Sequence, residues 1–380
     1  MKSICNFVFI YFLLSLASCQ NDNKYGEGVH FSFEELFDVN RYSIPLDTST
    51  GFESDCIQYV EKDGKPELML FYKKNNAIHI YDFEANKFIK SIKFQPEGPD
   101  GVGTSITGFK FEKNDEIYLY SYWDKKVYVV DEFGKLKEKY EINDNGSLKY
   151  PVLSPNNNRP ILKKGNKLIF AGTLYKTLKK EEIGSPFVAL DLEKKSHTLI
   201  GKYPEKTFEG DWDNKCETFF DYNASIGKFV IAFAISDSII VTDLINPNKD
   251  KHYFAGSSLL PEVKPMNANY DYEASSPEEM ISYVISGTYW SIKYDKYRKL
   301  YYRFGILPKS LEDFKAALPA KFFIVVLDEH FQHLAEATLP ESLYPSMAVI
   351  TPKGLLIPNK EKYDQHDDLL SFDVLIFKKK

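Results

Sequence analysis

The residues best suited to covalent chemistry lie at the start of the chain. Leu16-Ala17-Ser18-Cys19 ends an apolar run, Phe7 to Ala17, broken only by Ser15, and Lys2 is the only charge before it. The run is too short for a bilayer, which takes about 20 apolar residues. It fits the apolar core of a secretory signal. Leu16-Ala17-Ser18-Cys19 resembles a bacterial lipobox, in which small residues admit the signal peptidase and the cysteine thiol takes the lipid. Residues 1–18 are then the signal peptide, and 19–37 a lipidated linker. Several acyl chains on Cys19 would hold far more firmly than one. Gln20 follows the cysteine, with no Asp there. This points to an outer membrane lipoprotein, periplasmic or surface-facing. The alternative is an ordinary secretory signal with an incidental cysteine.

Other candidates are less specific. Gly98, Gly101 and Gly103 match neither a Walker loop nor a dinucleotide fingerprint. They read as a tight turn. His330 and His333 stand three apart, with no further metal ligand set by spacing. Asp211-Trp212-Asp213 and Asp364-Gln365-His366-Asp367-Asp368 lack the ordered oxygens and the glycine of a calcium loop. No Gly-x-Ser-x-Gly elbow or zinc-protease helix occurs. Acid pairs can cleave glycosidic bonds, but only at a carboxyl separation that spacing does not give. No catalytic residue, metal or cofactor is implied.

The elements that must position these residues are strands. The chain has 380 residues, 43% apolar and 15% aromatic, and aromatic excess favours strands. Its net charge of −6 argues against nucleic acid. Runs of β-branched and aromatic residues end again and again in aspartate, at Asp82, Asp131, Asp191, Asp243 and Asp328, and Phe372 to Phe377 is a sixth run. A period near roughly 50 residues suits a four-stranded propeller blade. Each run follows another apolar run, such as Leu68 to Tyr72 or Glu116 to Tyr120, and the first two precede a turn and an alternating strand. The expected fold is all-β: a six-bladed propeller of four-stranded blades over residues 38–380. The last run lacks a fourth strand, and Asp38 to Pro45 can supply it and close the ring. Ser276-Pro277-Glu278-Glu279 and Ser310-Leu311-Glu312-Asp313 read as starts of short helical insertions. Cys56 and Cys216 fall on opposite sides of such a ring and are expected to stay unpaired.

Phe94-Gln95-Pro96-Glu97-Gly98-Pro99-Asp100-Gly101-Val102-Gly103 joins the first blade to the second. With the lipobox, the length and the Tyr-rich later strands, it resembles a family of Bacteroidetes propeller lipoproteins, domain of unknown function 4221, with a TolB-like six-bladed fold. The resemblance covers most of Asp38 to Lys380. It implies fold and address, and no activity or catalytic residue.

Within a blade of strands a to d, the b–c loops and the d–a links emerge on one face. The long insertions fall there, and loops on a rigid scaffold carry function. Trp123, Trp212, Tyr270 and Tyr272 are the expected stacking residues, and Glu97, Asp100, Asp124, Arg159 and Asp211 the expected polar contacts. The reading is a binding or scaffold module for a protein or glycan, held at the membrane through Cys19. The alternative is an envelope hydrolase or lyase acting on glycan or peptide. Cys19→Ala should release the protein from the membrane fraction and abolish acylation. Unchanged fractionation and unchanged lipid labelling would refute the anchor.

Overall fold

A computed structural model describes residues 30–143, 150–174, 184–210, 212, 215–244, 249–260, 262–265 and 277–378. The signal segment and Cys19 lie outside these residues. Among these described residues, twenty-five strands, β1 to β25, form six antiparallel sheets. β1 is Phe37–Pro45. Blade one is β2 (Cys56–Lys62), β3 (Lys65–Tyr72), β4 (Ala77–Asp82) and β5 (Lys87–Lys93). Blade two is β6 (Ile106–Lys113), β7 (Glu116–Ser121), β8 (Lys126–Val130) and β9 (Leu136–Glu141). In blade three, β10 (Val152–Leu153) and β11 (Leu162–Lys164) both pair with β12 (Lys167–Thr173), followed by β13 (Phe187–Asp191) and β14 (Ser196–Ile200). Blade four is β15 (Thr218–Asn223), β16 (Lys228–Phe233), β17 (Ser238–Thr242) and β18 (Lys251–Phe254). Blade five is β19 (Thr288–Asp295), β20 (Leu300–Ile306), β21 (Phe322–Leu327) and β22 (His333–Thr338). Blade six is β23 (Val349–Thr351), β24 (Gly354–Pro358) and β25 (Leu369–Phe377), with β1 outermost.

The recurring aspartates have a shared local task. Asp82, Asp131, Asp191 and Asp328 each end or follow the third strand of a blade. Each Oδ1 accepts two backbone N–H groups of the next turn, at 2.7–3.2 Å. Such side-chain turns satisfy donors that the hairpin leaves open. The aspartate therefore fixes where the third strand stops and the fourth begins.

The six blades close as expected. β1 pairs with β25 over nine residue pairs, from Phe37 with Phe377 to Pro45 with Leu369. Tyr42 and Ile44 point into the core shared with Leu370 and Phe372. The fold also begins before Asp38, inside the segment read as linker. Ser32 and Glu35 form a capping box around the short helix Phe33–Leu36, and Phe31 N donates to Glu336 O on β22. This strap carries the chain from blade five to blade six, so the strand and the strap both bind that seam. The expected helical insertions are Pro277–Ile285 and Leu311–Lys315. A further one, Lys360–Gln365, is capped by Asn359. Cys56 and Cys216 are buried thiols in blade one and at the entry to blade four, with no disulfide.

Neighbouring blades are also stapled by buried polar groups. Arg303, on β20, is fully buried and stacks 3.7 Å over the Tyr289 ring. It donates to the carbonyls of Ala255, Phe233 and Ser236 in blade four. A guanidinium fork suits this work because it has several fixed donors.

Within Asp38 to Pro45, Tyr42 and Ile44 are buried. Each such side chain is worth roughly 1.5–3 kcal/mol. Backbone pairing adds roughly 0.5–1.5 kcal/mol per bond. The total rivals the roughly 5–15 kcal/mol stability of a whole domain. Deleting Asp38 to Pro45 should therefore yield an aggregating chain with no cooperative melt. A deletion variant melting like the parent would refute closure by this strand.

Candidate functional site

The central channel is closed from within by a short excursion of blade three. Between β10 and β11 the chain leaves the sheet as Ser154 to Ile161 and enters the channel. Asn156 Oδ1 accepts from the N–H groups of Asn158 and Arg159 at 2.9 and 3.1 Å, which folds the tip into a tight turn. Asn157 then reaches across the ring. Its Nδ2 donates to Ser346 O and Ala348 O at 3.0 and 2.8 Å, in the link from blade five to blade six. Lys293 Nζ, on β19, donates to Asn157 O at 2.9 Å. Arg159 pairs with Glu217 at 3.0 Å, beside blade four. On blade two, Gly108 makes room: a Cβ there would lie 2.6 Å from Pro155 O. The plug thus touches or bonds to blades two, four, five and six.

Above the plug lies a cavity of about 590 Å³. Its walls come from the link Ser49–Asp55 into blade one, the turn after β3, and Tyr344 to Met347. Asn156, Asn157 and Asn158 form its floor, and Trp290, the third residue of the innermost strand of blade five, forms a side. These are b–c and d–a segments, so the cavity opens on the face expected to carry function. Tyr72 and Asn158 are 4% and 7% exposed, and both line the cavity. The Tyr72 hydroxyl and Asn158 Oδ1 have no hydrogen-bond partner, and both atoms are shielded from solvent, behind the cavity surface. Trp290 Nε1 donates to Ser346 Oγ at 3.2 Å, which fixes the indole against the wall. Partial burial raises the Tyr344 hydroxyl, with the Glu53 carboxylate adding to the shift.

The residues singled out by sequence lie elsewhere. Trp123 is 79% exposed and stands edge-on to Tyr122, with ring centres 4.8 Å apart. Both line a smaller cleft of about 240 Å³ with Tyr120 and Tyr150, between blades two and three. Asp124 Oδ2 accepts from Ser121 Oγ and Tyr128 OH at 2.6 and 3.2 Å. It also lies against Gly103, where φ is +75° and a Cβ would come 2.9 Å from Oδ2. Asp100 Oδ1 accepts from Leu136 N at 3.1 Å, so the link is tied to the outer strand of blade two. Glu97 is exposed on the same link. Arg159 is buried in the plug, where its charge is matched by Glu217. Trp212 is buried at 2% exposure, with Nε1 donating to Lys206 O, so its ring belongs to the core. Asp211, Tyr270 and Tyr272 lie outside the described residues. The structure therefore joins Trp123, Asp124 and the Glu97–Gly103 link at one rim, and puts Arg159 beneath the mouth. The mouth residues themselves went unnoticed in the sequence. The run Ser154-Pro155-Asn156-Asn157-Asn158-Arg159-Pro160 is their one local signal, since such residues break strands.

Burial shapes the charges beneath the plug. Burial pushes the Lys293 ammonium down to about 8, with Asp221 opposing the shift. Asp221 is raised by burial, against two backbone N–H bonds, from Tyr294 and Tyr222, that favour its charge. Glu217 is raised by burial and drawn back by Arg159. Between about pH 8 and 10.5 the unfolded chain holds a proton at Lys293 that the folded chain has lost. Stability from this group therefore rises with pH across that window, by at most about 1.4 kcal/mol per pH unit. Lys293→Met should flatten that rise in urea titrations between pH 8 and 10. An unchanged slope would contradict a buried lysine held below its ordinary value.

Comparison with known proteins agrees with this architecture. The profile of a domain of unknown function, DUF4221, matches residues 31–338. No curated protein sequence matches the chain. Among solved structures, a DUF4221 member from Bacteroides vulgatus superposes with a TM-score of 0.76 at 23% identity, covering 91% of this chain and 99% of that one. A protein from Bacteroides fragilis does so with a TM-score of 0.60 at 9% identity, covering 92% of this chain and 98% of that one. The profile takes in β1 and blades one to five, and the expected resemblance is met in both sequence and fold. The chain belongs to the DUF4221 family.

Proposed function

We propose that this protein is an envelope-anchored binding module whose ligand seats in the mouth cavity of its propeller. The observation that carries the reading is the cavity itself. It has a floor pinned from several blades and walls made of connecting segments, the arrangement in which a rigid scaffold presents variable loops. Glu53 and Asp55 line it together with Lys73 and Lys74, and Asp55 Oδ2 accepts from the Lys73 N–H at 3.2 Å, so its charged and amide groups suit recognition.

The direction of the N-terminal strand supports an anchor on the opposite side. β1 enters at Phe37, beside Phe377 at the far end of β25, and leaves at Pro45 into the mouth wall. Phe31 and Leu36 line a cleft with Arg298, Asp328 and His330, which belong to a–b and c–d turns. A lipid on Cys19 would therefore tether the ring by that side and leave the mouth facing away from the membrane. The Bacteroides fragilis neighbour is named as a candidate exported protein, in keeping with an envelope address.

The test is capture from detergent-solubilised envelope, with the wild-type chain and two variants as bait. Trp290→Ala, in the mouth, should lose at least tenfold of the captured protein or glycan, the scale of a central anchor residue. Lys299→Ala, on the opposite face, should retain it. The reverse pattern would move the site to the a–b and c–d turns.

A further inference from the structure

We infer that the face of the ring opposite the mouth rests on a lipid bilayer, with Phe133 and Ile226 entering its interface; this rests on the anchor at Cys19. Eleven residues, Gln20 to His30, separate Cys19 from Phe31, which lines the cleft beside Arg298, Asp328 and His330 on that face. A chain of that length spans at most roughly 40 Å, so a lipid on Cys19 keeps this face close to the membrane. The reach still lets the ring stand off, and the side chains of the face decide whether it does.

Exposed apolar side chains are spread over that face at the level of the turns. Phe88 and Ile89 stand second and third on the outer strand of blade one. Phe133 tips the c–d turn of blade two, and Ile226 the a–b turn of blade four. Tyr297 lies in the a–b turn of blade five, and Leu334 is second on its outer strand. Phe133 is the most exposed large apolar side chain among the described residues, at 82%, and the other five are 36% to 48% exposed. Single exposed apolar residues are ordinary, but these share one end of the strands across four blades. The mouth side differs. There Trp123 stands apart, and Met280, Val284, Leu311, Phe314 and Leu318 gather on and beside two helical insertions, joined by Lys309 N donating to Ile285 O. A flat partner meets the first arrangement at several points and the second at one edge.

The Phe133 tip is held out by its own turn. Asp131 Oδ1 accepts from Phe133 N and Lys135 N at 2.9 and 3.0 Å. Gly134 has a φ of +79°, and a Cβ there would run into Lys93 O, so the turn is seated against blade one. A preordered tip loses little conformational freedom on insertion. Charge selects the kind of membrane. At the turn ends Lys90 pairs with Glu132, Lys299 with Glu329, Lys353 with Glu84 and Lys378 with Asp38, at 2.7–3.2 Å. A face built to grip anionic lipid would carry unmatched basic clusters. Matched signs beside apolar tips suit insertion into a zwitterionic bilayer.

The experiment uses the mature, acylated chain in phosphatidylcholine vesicles. Phe133→Cys, Ile226→Cys and, on the mouth side, Trp123→Cys each carry an environment-sensitive fluorophore. Cys56 and Cys216 are buried and take no competing label. All three positions are exposed, so the variants should melt as the parent does. Spin-labelled phosphatidylcholine should quench the two turn-face labels by about half or more, as for groups lying roughly 5–10 Å within the interface. High salt should leave that quenching unchanged, and the mouth-side label should stay in water. Vesicle-bound protein with all three labels in water overturns the inference and leaves the anchor standing. Quenching of the mouth-side label alone overturns the inference and the direction of the tether. Quenching lost in high salt overturns apolar insertion. A chain that stays off the vesicles overturns the anchor at Cys19 and this inference with it.

Discussion

A row of twisted sheets has two raw edges, and in this chain they are joined by one strand pair. β1 and β25 lie at opposite ends of the sequence, yet nine residue pairs bind them in continuous register. Everything described for the channel depends on that join. With it, the innermost strands face one another across a closed axis, and the plug of blade three can be held from several sides. Without it, blade six would expose the edge of β25, and exposed edges invite pairing with other chains. The strap at Phe31 to Leu36 extends the same join toward blade five. Connecting residues so far apart costs loop entropy only logarithmically in chain length. Burial of Phe37, Tyr42 and Ile44 outweighs that cost.

The closed ring also explains why charged groups survive beneath the mouth. Lys293, Asp221, Arg159 and Glu217 sit near the axis, where water is scarce and isolated charges are costly. Each has a partner: Lys293 has Asn157 O, Arg159 has Glu217, and Asp221 has two backbone N–H groups. These contacts tie the plug to its surroundings. Buried polar atoms without a partner occur both beside the mouth, at Tyr72 and Asn158, and below it, at Arg159 Nε and Thr218 Oγ1.

The fold was legible because its repeat has a local cause. An aspartate that accepts two N–H groups stands at the same point of four of the hairpins, at Asp82, Asp131, Asp191 and Asp328, so its recurrence marked the blades. The closing strand followed from counting: a last run without a partner needs one. The site was less legible. Arg159 and Trp212 look like binding anchors by residue type, yet one neutralises Glu217 in the plug and the other fills the core. Residue type does not report burial. The plug was hidden because blade three begins with a split strand, β10 and β11, which breaks the pattern that identified the other blades. Tyr72 and Trp290 belong to strands by composition, and only the ring geometry turns them toward a common cavity. The Glu97–Gly103 stretch, the most specific element of the family resemblance, is held by Asp100 on Leu136 and Gly103 on Asp124. Those contacts fix a link between blades.

The central claim is that the mouth cavity is where this propeller meets its ligand. The most direct measurement is a crystal structure of the chain with the ligand captured from the envelope. The account predicts that ligand against Trp290, above Asn156 to Asn158. Density for it at the Trp123 cleft, or among the a–b and c–d turns beside Arg298, with the mouth occupied by solvent, would contradict it.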